Sequence, residues 1–499
     1  MSQSLPPGPW PLPLLGNALQ LSLDYLHYTF SEWSQLYGDV VYMSVLGREV
    51  VVLSSLAAAQ DLLDKRSAIY SDRPRSILIH ELMAFSPNMP LLPYGDEWRR
   101  QRRWIQAAFL DKAKLDSYRP IQQREVVSML SKILQAPEAF ASHIRRYEGG
   151  IMLEIAYGRT ITARDDSFVQ HAGQAFAQLT EAGAPSASFV DLIPILRYMP
   201  TWFPATSWKR KALEVRGLIQ DVMNVPYEGT KQALADGTAG PSFLTTLLEE
   251  TMEQGSPTPG DERAMKGLAS VLYAAGTDTS ATTVVTFVLA MVVHPEVCRK
   301  AQAEIDRVIG SARLPTFADR DSLPYVECVL RETFRWNVPL PIGIPHQVTR
   351  EDHYRGFRIP GKSIVIANLW HMARNPTIYA EPDRYWPERH LGMDSSTLDA
   401  TDPRKIIFGF GRRICPGRQL ADSSIWLAIA CMLATFDFER ARDANGNEII
   451  PVTEFMPGAV SHPREFACSL RPRTQKVVEL VYGLHAEGKF EDSKGTSID

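Results

Sequence analysis

The run Phe408-Gly409-Phe410-Gly411-Arg412-Arg413-Ile414-Cys415-Pro416-Gly417 sets one cysteine in a glycine-flanked, cationic loop, and an apolar helical stretch follows at once. A cysteine ligates a metal as its thiolate, and the neighbouring arginines and the start of a helix are expected to lower its pKa. A structural zinc site would need a second Cys or His close by, and this run has neither. One thiolate ligand without companions points to haem. The other reading is a buried, inert cysteine. Three glycines, two arginines and a proline within ten residues argue against it.

Three further clusters could do chemistry. Ala275-Gly276-Thr277-Asp278-Thr279-Ser280 interrupts a long apolar helical stretch, expected from about Glu262 to Val293. Gly and Thr inside a helix cost stability and can bend it, so the bland reading is a polar patch where helices meet. Oxygen activation at haem instead needs a local gap, with a hydroxyl and an acid to relay protons. In Leu330-Arg331-Glu332-Thr333-Phe334-Arg335, Glu332 and Arg335 share one helical face and can pair. As an ordinary exposed pair they would contribute only about 0 to 1 kcal/mol. Trp98 and Arg102, four apart, share a helix side, where a cation and a ring N–H could serve an anion. The same stretch could simply be a solvated basic face, to which Arg99, Arg100 and Arg103 are assigned, unless they form a redox-partner surface.

The cysteine loop resembles the haem-binding loop of the cytochrome P-450 family, F-x-x-G-x-R-x-C-x-G, matched at Phe408, Gly411, Arg413, Cys415 and Gly417. The resemblance implies that Cys415 is the proximal iron ligand, pushing electron density toward the metal to favour O–O cleavage. It also implies that Phe408 lies against the haem, that Arg413, Trp98, Arg102 and His346 serve the propionates, and that a helix from about Arg418 to Thr435 points its N-terminus at the sulfur. His346 as the iron ligand is the weaker competitor. By similarity to A-G-x-D-T-[TS], Gly276 would open a groove, Thr279 would orient the bound oxygen and Asp278 would help deliver protons.

Pro382 to Arg389 resembles the family's second motif, so that Arg389 would complete a buried triad with Glu332 and Arg335. His390 departs from the phenylalanine usual there and puts the local packing in question. The resemblance also implies substrate walls from Ser76 to Pro93, Leu268 to Thr279, Val338 to Ile344 and Met456 to Ser461. Their apolar residues, Leu78, Leu82, Met83, Phe85, Leu91, Leu92, Leu272, Ile342 and Val460, suit a lipophilic or aromatic substrate, or plain core.

The elements that must position these groups are mainly helical. A helix near Asp24 to Tyr37 precedes a hairpin over Val40 to Leu53, turning at Gly47-Arg48. From about Asp96 to Val308 the apolar spacing is helical, with Pro and Gly breaks. Short β-type runs such as Ser363 to Ala367 return after Pro345, and Phe436 to Arg471 reads as strands and turns. The expected architecture is mainly α with a smaller β-rich lobe, the cytochrome P-450 fold: a proline-rich hinge at 1–20, one catalytic domain at 21–486 and a polar, fraying tail at 487–499.

The 499 residues are 45% hydrophobic and 22% charged, an ordinary globular composition. With 53 basic against 57 acidic residues, the formal charge of −4 excludes a nucleic-acid footprint. Five cysteines without a C-x-x-C pair point to a reducing compartment. No run of eighteen apolar residues suggests a transmembrane helix. The segment Pro6 to Asn17 resembles the hinge of microsomal family members, in which a membrane anchor precedes it. Here the anchor is either removed or natively lacking, so the expected location is the cytosolic face of the endoplasmic reticulum or, failing that, cytoplasmic or peripheral. Leu192 to Pro204, apolar and aromatic beside Trp208-Lys209-Arg210-Lys211, suits a membrane surface or a packed connecting segment.

The resemblance implies a monooxygenase using heme b (iron protoporphyrin IX), O₂, a small organic substrate and an NADPH-cytochrome reductase, with cytochrome b5 as a further partner. It is closest to fungal microsomal members, including those of secondary metabolism and xenobiotic oxidation. A haem-thiolate isomerase, dehydratase or peroxygenase, or a non-catalytic haem sensor or carrier, are the rival readings. The acid and alcohol at Asp278 and Thr279 favour monooxygenation.

Overall fold

The computed structural model describes residues 4–22, 24–160, 166–181 and 188–487. Its first helix, α1 (Leu26–Tyr37), packs against a hairpin of β1 (Val40–Val45) and β2 (Arg48–Leu53). The hairpin turns at Leu46-Gly47, one residue before the expected place, because its two-residue turn needs positive φ at both positions. Leu46 (51°) and Gly47 (78°) supply it, which frees Arg48 to pair with Val45.

The helical lobe contains α2 (Asp96–Phe109), α3 (Arg119–Gln135), α4 (Phe140–Tyr157), α5 (Ser207–Ala235) and α6 (Pro259–Val293). α6 starts sharply because Thr258 and Asp261 form a reciprocal capping box and Pro259 sits in the first turn. It is long and apolar enough to span a bilayer, yet 72% of its most apolar window is buried inside the protein. A helix apolar on all sides is the core of a large lobe. α6 makes its most extensive packing with α4, and both belong to the main hydrophobic cluster.

α7 (Pro324–Trp336) leads to β3 (His346–Gln347) and β4 (Ile364–Ala367). The four strands form one sheet in the order β1-β2-β4-β3, with β4 parallel to β2 from Val50↔Ile364 to Leu53↔Ala367. This sheet and its cover of short helices hold separate, smaller cores. α8 (Arg418–Thr435) follows the cysteine loop with the bounds expected from sequence.

β5 (Phe436–Arg440) pairs with β6 (Cys468–Pro472), and a last helix, α9 (Gln475–Glu487), lies beyond the strands anticipated there. Its Val477, Leu480, Val481 and Leu484 repeat at helical spacing, and all but Val477 join the main cluster, with α9 packed on α3. The proline-rich segment is extended, as expected, but it is docked rather than a free linker. Pro7 O accepts from Tyr42 N at 2.9 Å and Ser44 O from Asn17 N at 2.6 Å, so the segment covers an exposed edge of β1. Beyond Glu487 the polar tail lies outside the described residues.

Candidate active site

Gly411 explains the shape of the cysteine loop. Its φ is +56°, its N–H donates to the Asp64 carboxylate, and a Cβ there would stand 2.0 Å from the Leu63 carbonyl oxygen. Only glycine permits that approach. The loop closes with Cys415 N donating to Phe408 O at 2.8 Å, and the Phe408 ring meets Phe334 of α7 edge-on at 5.8 Å.

Cys415 Sγ accepts from Gly417 N–H, immediately before α8. One expectation is corrected here: the thiol pKa is raised, not lowered. Burial outweighs the Gly417 N–H and the charges of Arg102 and Arg418. The protein alone therefore keeps a neutral thiol, and a bound cation would be needed to displace its proton.

Cys415 lines a cavity of about 290 Å³ walled by α2, α4, α6, α8 and the loop itself. Trp98 and Arg102 of α2 both line it, while Arg103 is exposed and Arg99 and Arg100 pair with Asp96, Glu97 and Asp261. Arg413 stacks on Trp98 at 4.5 Å and donates to Ser71 O (2.8 Å) and Leu92 O (2.7 Å). Arg73, which the sequence reading missed, is the third cation: it is buried and donates to Pro90 O at 2.9 Å, Ile344 O at 2.6 Å and Pro345 O at 2.7 Å. Nothing in its local pattern, Ser71-Asp72-Arg73-Pro74, distinguishes it from a surface arginine.

None of Arg73, Arg102 and Arg413 has a carboxylate partner among the described residues, and Arg102 Nε and Trp98 Nε1 lack any acceptor. Burial drives the Arg413 guanidinium down to about 9 and Arg73 well below its usual range. Three largely buried cations lining one cavity demand anions. The donor set therefore fits a planar anionic cofactor held by one thiolate, and haem with its two propionates meets that description.

His346 is buried beside Arg73 and lines the same cavity, with Nδ1 2.8 Å from Tyr70 O. That bond needs Nδ1–H, and burial followed by Arg73 keeps the ring neutral, so Nε2 is left as an acceptor. To serve a propionate it would first have to gain a proton. Glu148 of α4 also lines the cavity unanticipated; burial raises it to about 8, and its one described partner is Ser424 Oγ at 3.3 Å.

Ala275, Gly276 and Thr279 of α6 also line the cavity, and Thr279 Oγ1 donates to Ala275 O at 2.7 Å. Gly276 has a further reason to be small: a Cβ would lie 2.6 Å from Met152 Sδ, so the space beside it belongs to the α4–α6 contact. Asp278 does not line the cavity. Its carboxylate faces Arg145 Nη1 (3.2 Å) and His462 Nε2 (3.3 Å). Burial pushes its pKa up, but the His462 bond and the two positive neighbours hold it below the usual carboxylate range.

Of the nine apolar residues assigned to the substrate walls, only Leu272 lines the cavity; Met89, Pro90, Val271, Leu340 and Ile344 do so as well. Leu78, Met83, Phe85, Leu91, Ile342 and Val460 are buried elsewhere in the core, and Met456 to Ser461 does not reach the cavity.

Behind the loop, Glu332 and Arg335 are fully buried and doubly bonded, Arg335 Nε and Nη2 donating at 2.9 and 2.8 Å. Arg389 Nε adds a contact at 3.2 Å, and His390 Nε2 makes a fourth member at 3.1 Å from Glu332 Oε2. The position that seemed a packing defect is thus part of the polar network. Burial works to raise the Glu332 pKa, but Arg335, His390 and Arg389 bring it down to about 2.

A helical lobe and a small sheet closing over a cysteine loop, with unpaired arginines in the same cavity, define a haem-thiolate protein. The cytochrome P-450 family profile matches residues 6–467. Over 486 residues the chain is 47% identical to cytochrome P-450 monooxygenase 136 of Postia placenta, covering 97% of this chain and 92% of that protein. It is 45% identical to monooxygenase 176 of the same fungus, over 96% and 92% of the two chains. With cytochrome P-450 monooxygenase claR of Ampulloclitocybe clavipes it shares 40% identity over 96% and 88%. The chain belongs to the cytochrome P-450 family and is a haem-dependent monooxygenase, which requires O₂, an organic substrate and a redox partner.

Proposed function

We propose that this monooxygenase binds heme b through Cys415 and inserts one atom of O₂ into a lipophilic or aromatic substrate, with electrons from an NADPH-cytochrome reductase. The observation that carries this reading is the shared cavity of Cys415 and three carboxylate-free arginines. When bound, the haem supplies the site for O₂ activation and electron storage. Arg73, Arg102 and Arg413 would neutralise its propionates, Trp98 Nε1–H would donate to one, and His346 would take up a proton in their presence. Phe408 would pack on the ring, while Gly411 and the Gly417 N–H hold the sulfur in place.

Thr279 presents its hydroxyl oxygen to the cavity while its proton is directed to Ala275 O, so it can accept a proton-bearing partner and orient it. Asp278, one residue along, would deliver protons from the outer flank of α6. The walls of Met89, Val271, Leu272, Leu340 and Ile344 favour an apolar substrate.

Electrons would enter on the face of α2, where Arg99, Arg100, Arg103 and Arg412 border a surface depression. Arg103 and Arg412, without carboxylate partners among those described, supply its net charge for an acidic reductase or cytochrome b5. A peripheral contact with the cytosolic face of the endoplasmic reticulum is supported by Trp10, Leu14, Ile195, Tyr198 and Trp202, all at least two-thirds exposed (Trp10 88%, Trp202 78%).

Haem-loaded protein tests the reading. The reduced wild type should give the thiolate-type carbon monoxide difference spectrum, and Cys415→Ala should abolish it. An unchanged spectrum in that variant would overturn the ligand assignment, and turnover with peroxide but never with NADPH and reductase would overturn the electron source.

A further inference from the structure

The turn at 456–463 meets α6 at the back of the proposed proton path. His462 Nε2 stands 3.3 Å from Asp278 Oδ2, and Nδ1 stands 2.8 Å from Thr282 Oγ1, one helical turn beyond Asp278. The ring is part-exposed, its side chain 28% accessible, whereas the Asp278 side chain is 15% accessible. Neighbouring contacts fix the turn: Ser461 Oγ donates to Asn337 Oδ1 at 3.0 Å, Asn337 Nδ2 donates to Ser461 O at 2.8 Å, and Met456 N donates to His462 O at 2.7 Å.

The carboxylate has two basic neighbours, and they differ in chemistry. Arg145, from α4, holds a charge but cannot give up a proton near neutral pH. His462 can, because an imidazole nitrogen can both give and take a proton. Thr282 accommodates both ring states. Its hydroxyl donates to Asp278 O (2.8 Å) and can accept from Nδ1–H both of the imidazolium and of the neutral ring left when Nε2 gives up its proton. Flanking the turn, Arg464 Nε and Glu454 Oε2 pair with each other at 3.0 Å.

We propose that His462 is a positioning residue for proton entry, through which solvent protons reach Asp278. This rests on the reading that Asp278 supplies the cavity. Nε2–H passes its proton to Asp278 Oδ2, leaving a neutral acid and a neutral ring that keeps Nδ1–H on Thr282 Oγ1, and a solvent proton restores Nε2 once Asp278 has passed its own proton on. No electron moves in this step. Taking each O₂ to water needs two more protons and two more electrons than releasing it as hydrogen peroxide, so slow delivery of the later protons lets peroxide leave first.

The test uses the haem-loaded full chain with NADPH and reductase, without organic substrate, and reads the hydrogen peroxide formed per NADPH oxidised. His462→Gln keeps a donor near Asp278 but cannot relay. It should lower the water-forming share by about tenfold, less than the roughly 10²-fold of direct acid–base catalysis because solvent retains some access to Asp278. It should also flatten the pH dependence of that share. Thr282→Val, which leaves the ring in place, should shift the share in the same direction, and Asp278→Asn with His462→Gln should be no worse than Asp278→Asn alone.

An unchanged peroxide share and pH profile in His462→Gln would overturn the proposal. If that variant does not fold, an unchanged share in Thr282→Val does the same. A wild type lacking the thiolate-type spectrum would instead overturn the haem-thiolate reading itself, which keeps the two failures apart.

Discussion

Replacing Glu332 by Gln removes one charge from the centre of the network behind the haem loop and changes the volume little. Every described contact of the carboxylate is with a donor: Arg335 Nε and Nη2, Arg389 Nε, His390 Nε2 and the Trp386 N–H at 2.9 Å. A glutamine amide turns one acceptor into a donor facing donors and leaves two guanidinium groups buried without a counter-charge. Two independent routes give the cost. The Glu332 pKa falls from 4.5 to about 2, so ionisation stabilises the fold by about 3 kcal/mol at neutral pH. Removal of one partner from a buried ion pair costs about 3–5 kcal/mol.

For a chain of this size, with an unfolding entropy of roughly 1 kcal/mol/K, that corresponds to a fall in Tm of about 3–5 °C. Phe334, between Glu332 and Arg335 on α7, touches Phe408, so loss of haem on warming should accompany the fall. Because the folded-state pKa is depressed, the stabilisation is fully present above about pH 4.5 and is lost as pH drops through about 2. Scanning calorimetry of wild type and variant should therefore show a constant Tm gap from pH 8 to about 5.5 that narrows below about 4.5. A gap under about 1 °C, or one that widens on acidification, would refute the reasoning.

His390→Phe should cost about 1.5–3 kcal/mol, the worth of a hydrogen bond to a charged group, despite being the family-typical residue; equal stability by the same calorimetry would show His390 to be a bystander. Gly411→Ala should give protein that folds poorly or fails to retain haem, because its Cβ meets the Leu63 carbonyl at 2.0 Å and its φ is +56°; normal haem content would contradict the loop geometry. Arg102→Gln removes one unpaired cation from the cavity and should weaken haem affinity by about tenfold or more, read by haem transfer to apomyoglobin; unaltered transfer would exclude a propionate contact.

What the sequence by itself determined were groups whose partners lie close along the chain or within one element. The cysteine loop and α8 are continuous, and Glu332 and Arg335 share a helical face. Trp98 and Arg102 were legible for the same reason, since four residues is one helical turn. A repeat along one helix says which side chains share a face, but not what that face will meet.

Only the tertiary structure decided those meetings. It put Asp278 against Arg145 and His462 rather than in the cavity, gave the space beside Gly276 to Met152, and sent most of the apolar residues expected around a substrate into the core. It brought Arg73 next to carbonyls at 344 and 345 and made His390 a ligand of Glu332 instead of an anomaly. It also raised the Cys415 thiol that local charge suggested would be acidic, because desolvation depends on everything packed around the sulfur. Electrostatics and close packing act through space, between residues that can be hundreds of positions apart, so they are settled when the helices and sheet come together.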